Sequence, residues 1–112
     1  MANYAFSWEN AYVEENKVIN YLLDRNHAAG GGKAKFFLSV GYSRERWTQL
    51  RDDLLLVARE GVIFAVTRSD FGTKTVIDGS VVAPSLERIT LRTVWINGCL
   101  DDAQRLVTAY PN

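Results

Sequence analysis

The sequence predicts an α+β domain: N-terminal helices followed by a four-stranded antiparallel sheet, with the helices on one face. Three observations carry that expectation. Apolar residues recur at helical spacing up to Glu60, the period shortens to two after Gly61, and glycine, asparagine and proline mark the boundaries. Helices gathered in one half and strands in the other form α+β layers rather than alternating βαβ units.

The elements follow in order. Residues 1–10 read as an arm in which Tyr4, Phe6 and Trp8 alternate with small or polar residues, suited to an edge strand or to packing across a surface. Residues 11–112 read as one domain. Glu14 to Arg25 is the first helix, with Val18, Leu22 and Arg25 at helical spacing and Ile19 and Leu23 beside them. Glu14 and Glu15 suit its N-terminus and Arg25 its C-terminus. Asn26 and Gly30-Gly31-Gly32 end it. Lys33 to Val40 is a short helix stopped by Gly41. Ser43 is a good N-cap for a longer helix over Arg44 to Glu60. There Trp47, Leu50, Leu54 and Val57 form the buried stripe, and Arg51, Asp52 and Asp53 fall on the wet side.

After Gly61 the chain turns β-branched and aromatic. Val62 to Thr67 is a strand, Ser69-Asp70-Phe71-Gly72 a turn, and Thr73 to Asp78 the returning strand. Gly79 to Arg88 is a longer connection holding Pro84. Ile89 to Ile96 is a strand, Asn97-Gly98 opens the next connection, and Arg105 to Tyr110 is the last strand, closed by Pro111.

At 112 residues and 47% hydrophobic, the chain has material for one ordinary core, and 23% charged residues place it among globular proteins. It has no apolar run of about 18 residues or more to span a membrane. The start, Met1 to Trp8, lacks the basic and apolar regions of a secretory signal. The lone cysteine, Cys99, fits a reducing cytoplasm and reads as a small loop residue rather than a nucleophile. Thirteen basic and 13 acidic side chains give zero net charge. A nucleic-acid surface would therefore need local clustering of cations.

The candidate chemistry is sparse. Gly30-Gly31-Gly32-Lys33 invites comparison with a phosphate loop, but His27 stands where that motif needs its first glycine and Ala34 where it needs Ser or Thr. A looser anion site remains open beside the plainer reading, a flexible helix connection. His27 is the only histidine, and a pKa near neutrality suits proton transfer. The plainer reading there is a polar loop residue capping helix carbonyls. No metal-ligand spacing occurs, and Asp52-Asp53 and Asp101-Asp102 read as solvated faces or turns. Neither a cofactor nor a metal is expected. Thr90 and Arg92 share one strand face, and Arg105 and Thr108 lie on the last strand. They could line a polar sheet face that binds phosphate, or simply form a wet face with cross-strand pairs.

Lys17 to Leu23, His27 through Phe37, Gly41, Trp47, Phe71-Gly72-Thr73, Val94-Trp95 and Arg105 to Pro111 resemble a bacterial domain family of unknown function. That family occurs alone or at the C-terminus of polymorphic toxins and phage-associated proteins. The resemblance covers residues 11–111. Ala28 departs from the proline that follows the histidine in the family, which bears on the loop shape. The element order also looks like the barnase, EndoU, colicin and RelE group of ribonucleases. That resemblance implies a metal-independent endoribonuclease with His27 as general acid or base, Lys33 and Arg92 stabilising the phosphate, and Thr108 orienting it. It also implies RNA as substrate and an inhibitor protein as partner. The competing expectation is a non-enzymatic protein-binding or homodimeric module, supported by the aromatic arm and exposed strand edges.

Overall fold

The computed structural model describes residues 6–28, 31–98 and 103–112. Tyr4, Gly30, Cys99 and Asp101-Asp102 lie outside the described residues. A 3-10 turn (Trp8–Asn10) leads into a two-residue strand, β1 (Ala11–Tyr12). Helix α1 (Glu15–Lys17) passes directly into a π-helical turn (Val18–Leu22). Helices α2 (Gly31–Ser39) and α3 (Trp47–Glu60) follow. Strands β2 (Val62–Ser69), β3 (Gly72–Val82), β4 (Arg88–Asn97) and β5 (Gln104–Pro111) complete the chain.

Among the described residues, the mixed α+β fold therefore has three helices and a five-stranded sheet in the order β1-β5-β4-β3-β2. The expected four antiparallel strands are β2 to β5. The fifth strand, β1, precedes the helices and pairs parallel with β5 through Ala11 opposite Gln104 and Tyr12 opposite Arg105. Two residues are too few to display a period of two, and a parallel partner some ninety residues away leaves no local trace. The expected first helix is also shorter. It ends at Leu22, and a wide turn in which the Leu23 N–H donates to the Val18 carbonyl (2.8 Å) replaces its second half. That turn buries Val18, Leu22 and Leu23 together.

Helix α3 lies on β3 and β4, burying Leu50, Leu54, Val57 and Ala58, while α2 packs toward β5. Ser43 accepts a hydrogen bond from the Arg46 N–H (3.2 Å), but the helix proper begins at Trp47. Asp53, expected on the wet side, is half-buried and accepts a hydrogen bond from the buried Tyr42 hydroxyl (2.6 Å). Strand β3 runs through Gly79 because the end of α3 presses on it: a Cβ there would sit 3.1 Å from Val57 Cγ1.

Alternation along β4 sorts the two faces. Ile89, Leu91, Thr93 and Trp95 are buried, while Thr90, Arg92, Val94 and Ile96 lie on the opposite, open face. The buried Thr93 hydroxyl donates to the Ile77 carbonyl (2.8 Å) and accepts from the Trp95 indole N–H (2.8 Å), so the core's polar groups there are paired. Phe6 from the arm meets Trp95 edge-on at 5.9 Å. A bulge in β5 sets Thr108 opposite Val94 and Leu106 opposite Trp95, leaving Val107 as the extra residue. Strict alternation would put Arg105 and Thr108 on opposite faces; the bulge brings both to the open face.

Candidate functional site

The site forms where the π-helical turn, the loop after it and α2 meet β5. Asp24 shapes the loop: its carboxylate accepts the Asn26 N–H (2.9 Å) and its carbonyl accepts the His27 N–H (3.2 Å). The His27 carbonyl then accepts the Gly31 N–H (2.9 Å), which ties the loop to the start of α2. Any side chain at Gly31 would collide with the Arg25 carbonyl, 2.7 Å from a Cβ. The half-buried His27 imidazole meets the Tyr21 ring edge to face at 5.0 Å.

Tyr21 is the hub. Its hydroxyl shares a 2.9 Å hydrogen bond with the Thr108 hydroxyl across 87 residues of chain. Lys17, one helical turn earlier, stands over its ring at 5.0 Å, and Lys33 from α2 stands over it at 5.5 Å. Lys33 also reaches the Tyr110 ring at 5.9 Å. Burial pushes the Tyr21 pKa upward, but the hydrogen bonds from Thr108 and Lys33 and the charges of Lys33 and Lys17 outweigh it. The net result is a phenol below its ordinary value and a better proton donor. Lys17, Tyr21, His27 and Thr108 line an open depression of about 420 Å³ together with Asn16, Asn20 and Val107.

Of the four sequence-predicted residues, the structure brings His27, Lys33 and Thr108 around Tyr21. Arg92 lies farther along the open face, where its guanidinium makes two 2.8 Å hydrogen bonds to the Asp78 carboxylate. It packs on the Phe64 ring at 3.8 Å and is linked to Tyr110, its cross-strand neighbour. Hydrogen bonding to Asp78 raises the Arg92 pKa, and the same bonds hold the Asp78 carboxyl below the usual carboxylate range. Tyr21 and Tyr110 escaped the sequence reading. The Lys17–Tyr21 spacing of four places both on one helix face, and Tyr110 lies two residues beyond Thr108 on the same strand face; these are the signals that could have found them.

A second groove, of about 330 Å³, lies beside Trp8 and α3. It holds the carboxylates of Glu9 and Asp52 and the Arg59 guanidinium, which stands over Trp8. Its lining has no histidine, lysine or tyrosine, so the depression at Tyr21 is the stronger candidate. Among the described residues, no three His, Cys, Asp or Glu side chains assemble as a metal site. Nor is any helix long and apolar enough to cross a membrane among these residues.

The profile of the domain of unknown function DUF6883 matches residues 6–112. The chain belongs to the DUF6883 family. The DUF6883 domain is similar in fold to a chain of a contact-dependent growth inhibition toxin–immunity protein complex from Klebsiella pneumoniae 342. The TM-score is 0.71 at 12% identity, over 94% of this chain and 96% of that one, so the likeness is one of fold. No curated protein matches the sequence of this DUF6883 domain.

Proposed function

We propose that the domain is a metal-independent, toxin-type endoribonuclease acting in the cytoplasm, with its reaction at the Tyr21 depression. The observation that supports this best is the convergence of His27, Lys33 and Thr108 on one tyrosine from three separate chain segments. In the reaction, the ribose 2′-oxygen attacks the adjacent phosphorus, the 5′-oxygen leaves, and a 2′,3′-cyclic phosphate forms. His27 accepts the 2′-hydroxyl proton, and Tyr21 donates a proton to the leaving 5′-oxygen. Lys33 and Lys17 stabilise the charge that builds on the phosphate oxygens. Thr108 orients the Tyr21 hydroxyl. At the cut itself Arg92, held by Asp78, acts through Tyr110 as a positioning residue rather than as a ligand of the scissile phosphate. The fold neighbour comes from a complex of a toxin with an immunity protein, and an inhibitor protein is the partner this reading implies.

The test is His27→Ala. The variant should keep its melting temperature within a few degrees and lose cleavage of total RNA. Unchanged cleavage sinks the assignment of His27.

One observation favours a second reading, a protein-binding or homodimeric module. Strand β2 ends the sheet with Val62, Ile63, Phe64 and Val66 all exposed, an unpaired apolar edge of the kind that pairs with another chain. A concentration-independent monomer mass in light scattering counts against the homodimer.

A further inference from the structure

The molecule's zero net charge hides an uneven distribution. Strands β2 to β5 carry Arg68, Lys74, Arg88, Arg92 and Arg105 but one acid, Asp78; the other described acids lie on the helices, turns and loops. Register places Lys74, Arg88, Arg92 and Arg105 on the open face, with Lys74 opposite Ile96, Asp78 opposite Arg92 and Arg105 opposite Ile96. Across that face runs an alternation of rings and cations. Lys33 stands over Tyr21 and Tyr110, and Tyr110 touches Arg92, which packs on Phe64 at 3.8 Å. Phe64, at the far edge, is 62% exposed.

We propose that this row, Tyr21–Lys33–Tyr110–Arg92–Phe64, is a binding track for an unpaired RNA strand that leads from the β2 edge to the Tyr21 depression. The substrate class rests on the ribonuclease reading above; the track itself rests on the face. Cations interleaved with aromatic rings serve single strands because a flipped or unpaired base can stack on a ring while its phosphate meets a charge. Bases in a duplex already stack on each other, and an open sheet face offers no helix or β-ribbon to enter a groove. From β2 to β5 is three strand spacings, about 14 Å. Phe64 stacks the base farthest from the cut, and Tyr110 one nearer to it.

The experiment uses the full chain carrying His27→Ala, so that bound RNA stays intact. Fluorescence anisotropy is read with a labelled, unstructured RNA 12-mer and with the same strand in a duplex. The expected result is a clear preference for the single strand and about tenfold weaker single-strand binding when Phe64→Ala is added. Phe64→Trp should restore binding, and Leu86→Ala, at an exposed leucine off the track, should leave it unchanged. Phe64→Ala removes an exposed side chain, and a thermal melt verifies that it folds. Equal affinity for strand and duplex, or no effect of Phe64→Ala in a folded protein, overturns the track. Cleavage by the parent that accompanies such a result would leave the ribonuclease reading standing without the track. Tight, Phe64-dependent strand binding by a parent that never cleaves would support the track and defeat the ribonuclease reading.

Discussion

Tyr21→Phe separates chemistry from structure by magnitude. The change deletes one oxygen and keeps the ring on which His27, Lys17 and Lys33 converge. The lost hydrogen bond to Thr108 is 2.9 Å and part-buried, so stability should fall by about 0.5–1.5 kcal/mol. For a domain of this size that is a drop of roughly two to twelve degrees in melting temperature, well short of unfolding at 25 °C. A hydroxyl that donates the proton to the leaving oxygen is worth about 10²–10⁴ in kcat, or roughly 3–5 kcal/mol of barrier. The two ranges do not overlap, so kcat on a short RNA, measured beside a melt, tells them apart. The pH profile adds a second reading. A tyrosine acid must be protonated, so the parent's rate should fall as pH rises through the lowered Tyr21 pKa, and the phenylalanine variant should lack that limb. A folded Tyr21→Phe enzyme that cleaves within tenfold of the parent, with the same alkaline limb, refutes the role of Tyr21.

Three further predictions concern the frame that holds the site. Thr93→Val leaves the fully buried Trp95 indole N–H without its acceptor and should cost about 1–3 kcal/mol in urea denaturation, with Thr93→Ser milder; equal stability of the valine form contradicts the pairing. Asp78 is held below the usual carboxylate range chiefly by Arg92's hydrogen bonds, so its stabilisation is present above about pH 4 and lost as pH falls through the lowered folded pKa. The melting-temperature gap between the parent and Asp78→Asn should therefore be steady from pH 7 to 5 and close in stronger acid, and a gap that persists undiminished at pH 2 refutes it. Leu86 sits at φ 73° with 84% of its surface exposed, so Leu86→Gly relieves a left-handed strain of about 1–2 kcal/mol, partly offset by glycine's extra freedom when unfolded. A small rise in melting temperature is expected, and a fall contradicts the strain.

How much of this was legible in the sequence depends on the range of the interaction. Local patterns were readable: the stripe of Leu50, Leu54 and Val57, the stop at Gly61, and the alternation of Ile89 to Trp95 all reflect periods within one element. The pairing of Ala11 with Gln104 was not, because two residues carry no period and their partner is distant. Nor was the extension of β3 past Gly79, where a glycine that looks like a strand end instead makes room for Val57. At the site, His27, Lys33 and Thr108 were singled out by chemistry, loop position and resemblance. The residue that joins them was hidden within an apolar helical run. Nothing in that run marks Tyr21; the wide turn at Val18–Leu22 and the bulge at Val107 set its hydroxyl against Thr108. Both irregularities insert backbone geometry that strict periods of 3.6 and two cannot anticipate. The polar strand face with Arg92 and Arg105 was legible, but balanced totals conceal that Lys74 and Arg88 share it.

The most direct test of the central claim is the chemistry of the cut ends. Purified protein is incubated with total and transfer RNA in EDTA, beside the His27→Ala form, and the 3′ ends of the fragments are identified. Discrete fragments ending in 2′,3′-cyclic phosphate, produced by the parent and lost in the variant, are the expected result. Intact RNA at high protein concentration, or fragments made equally by the His27→Ala form, would contradict it.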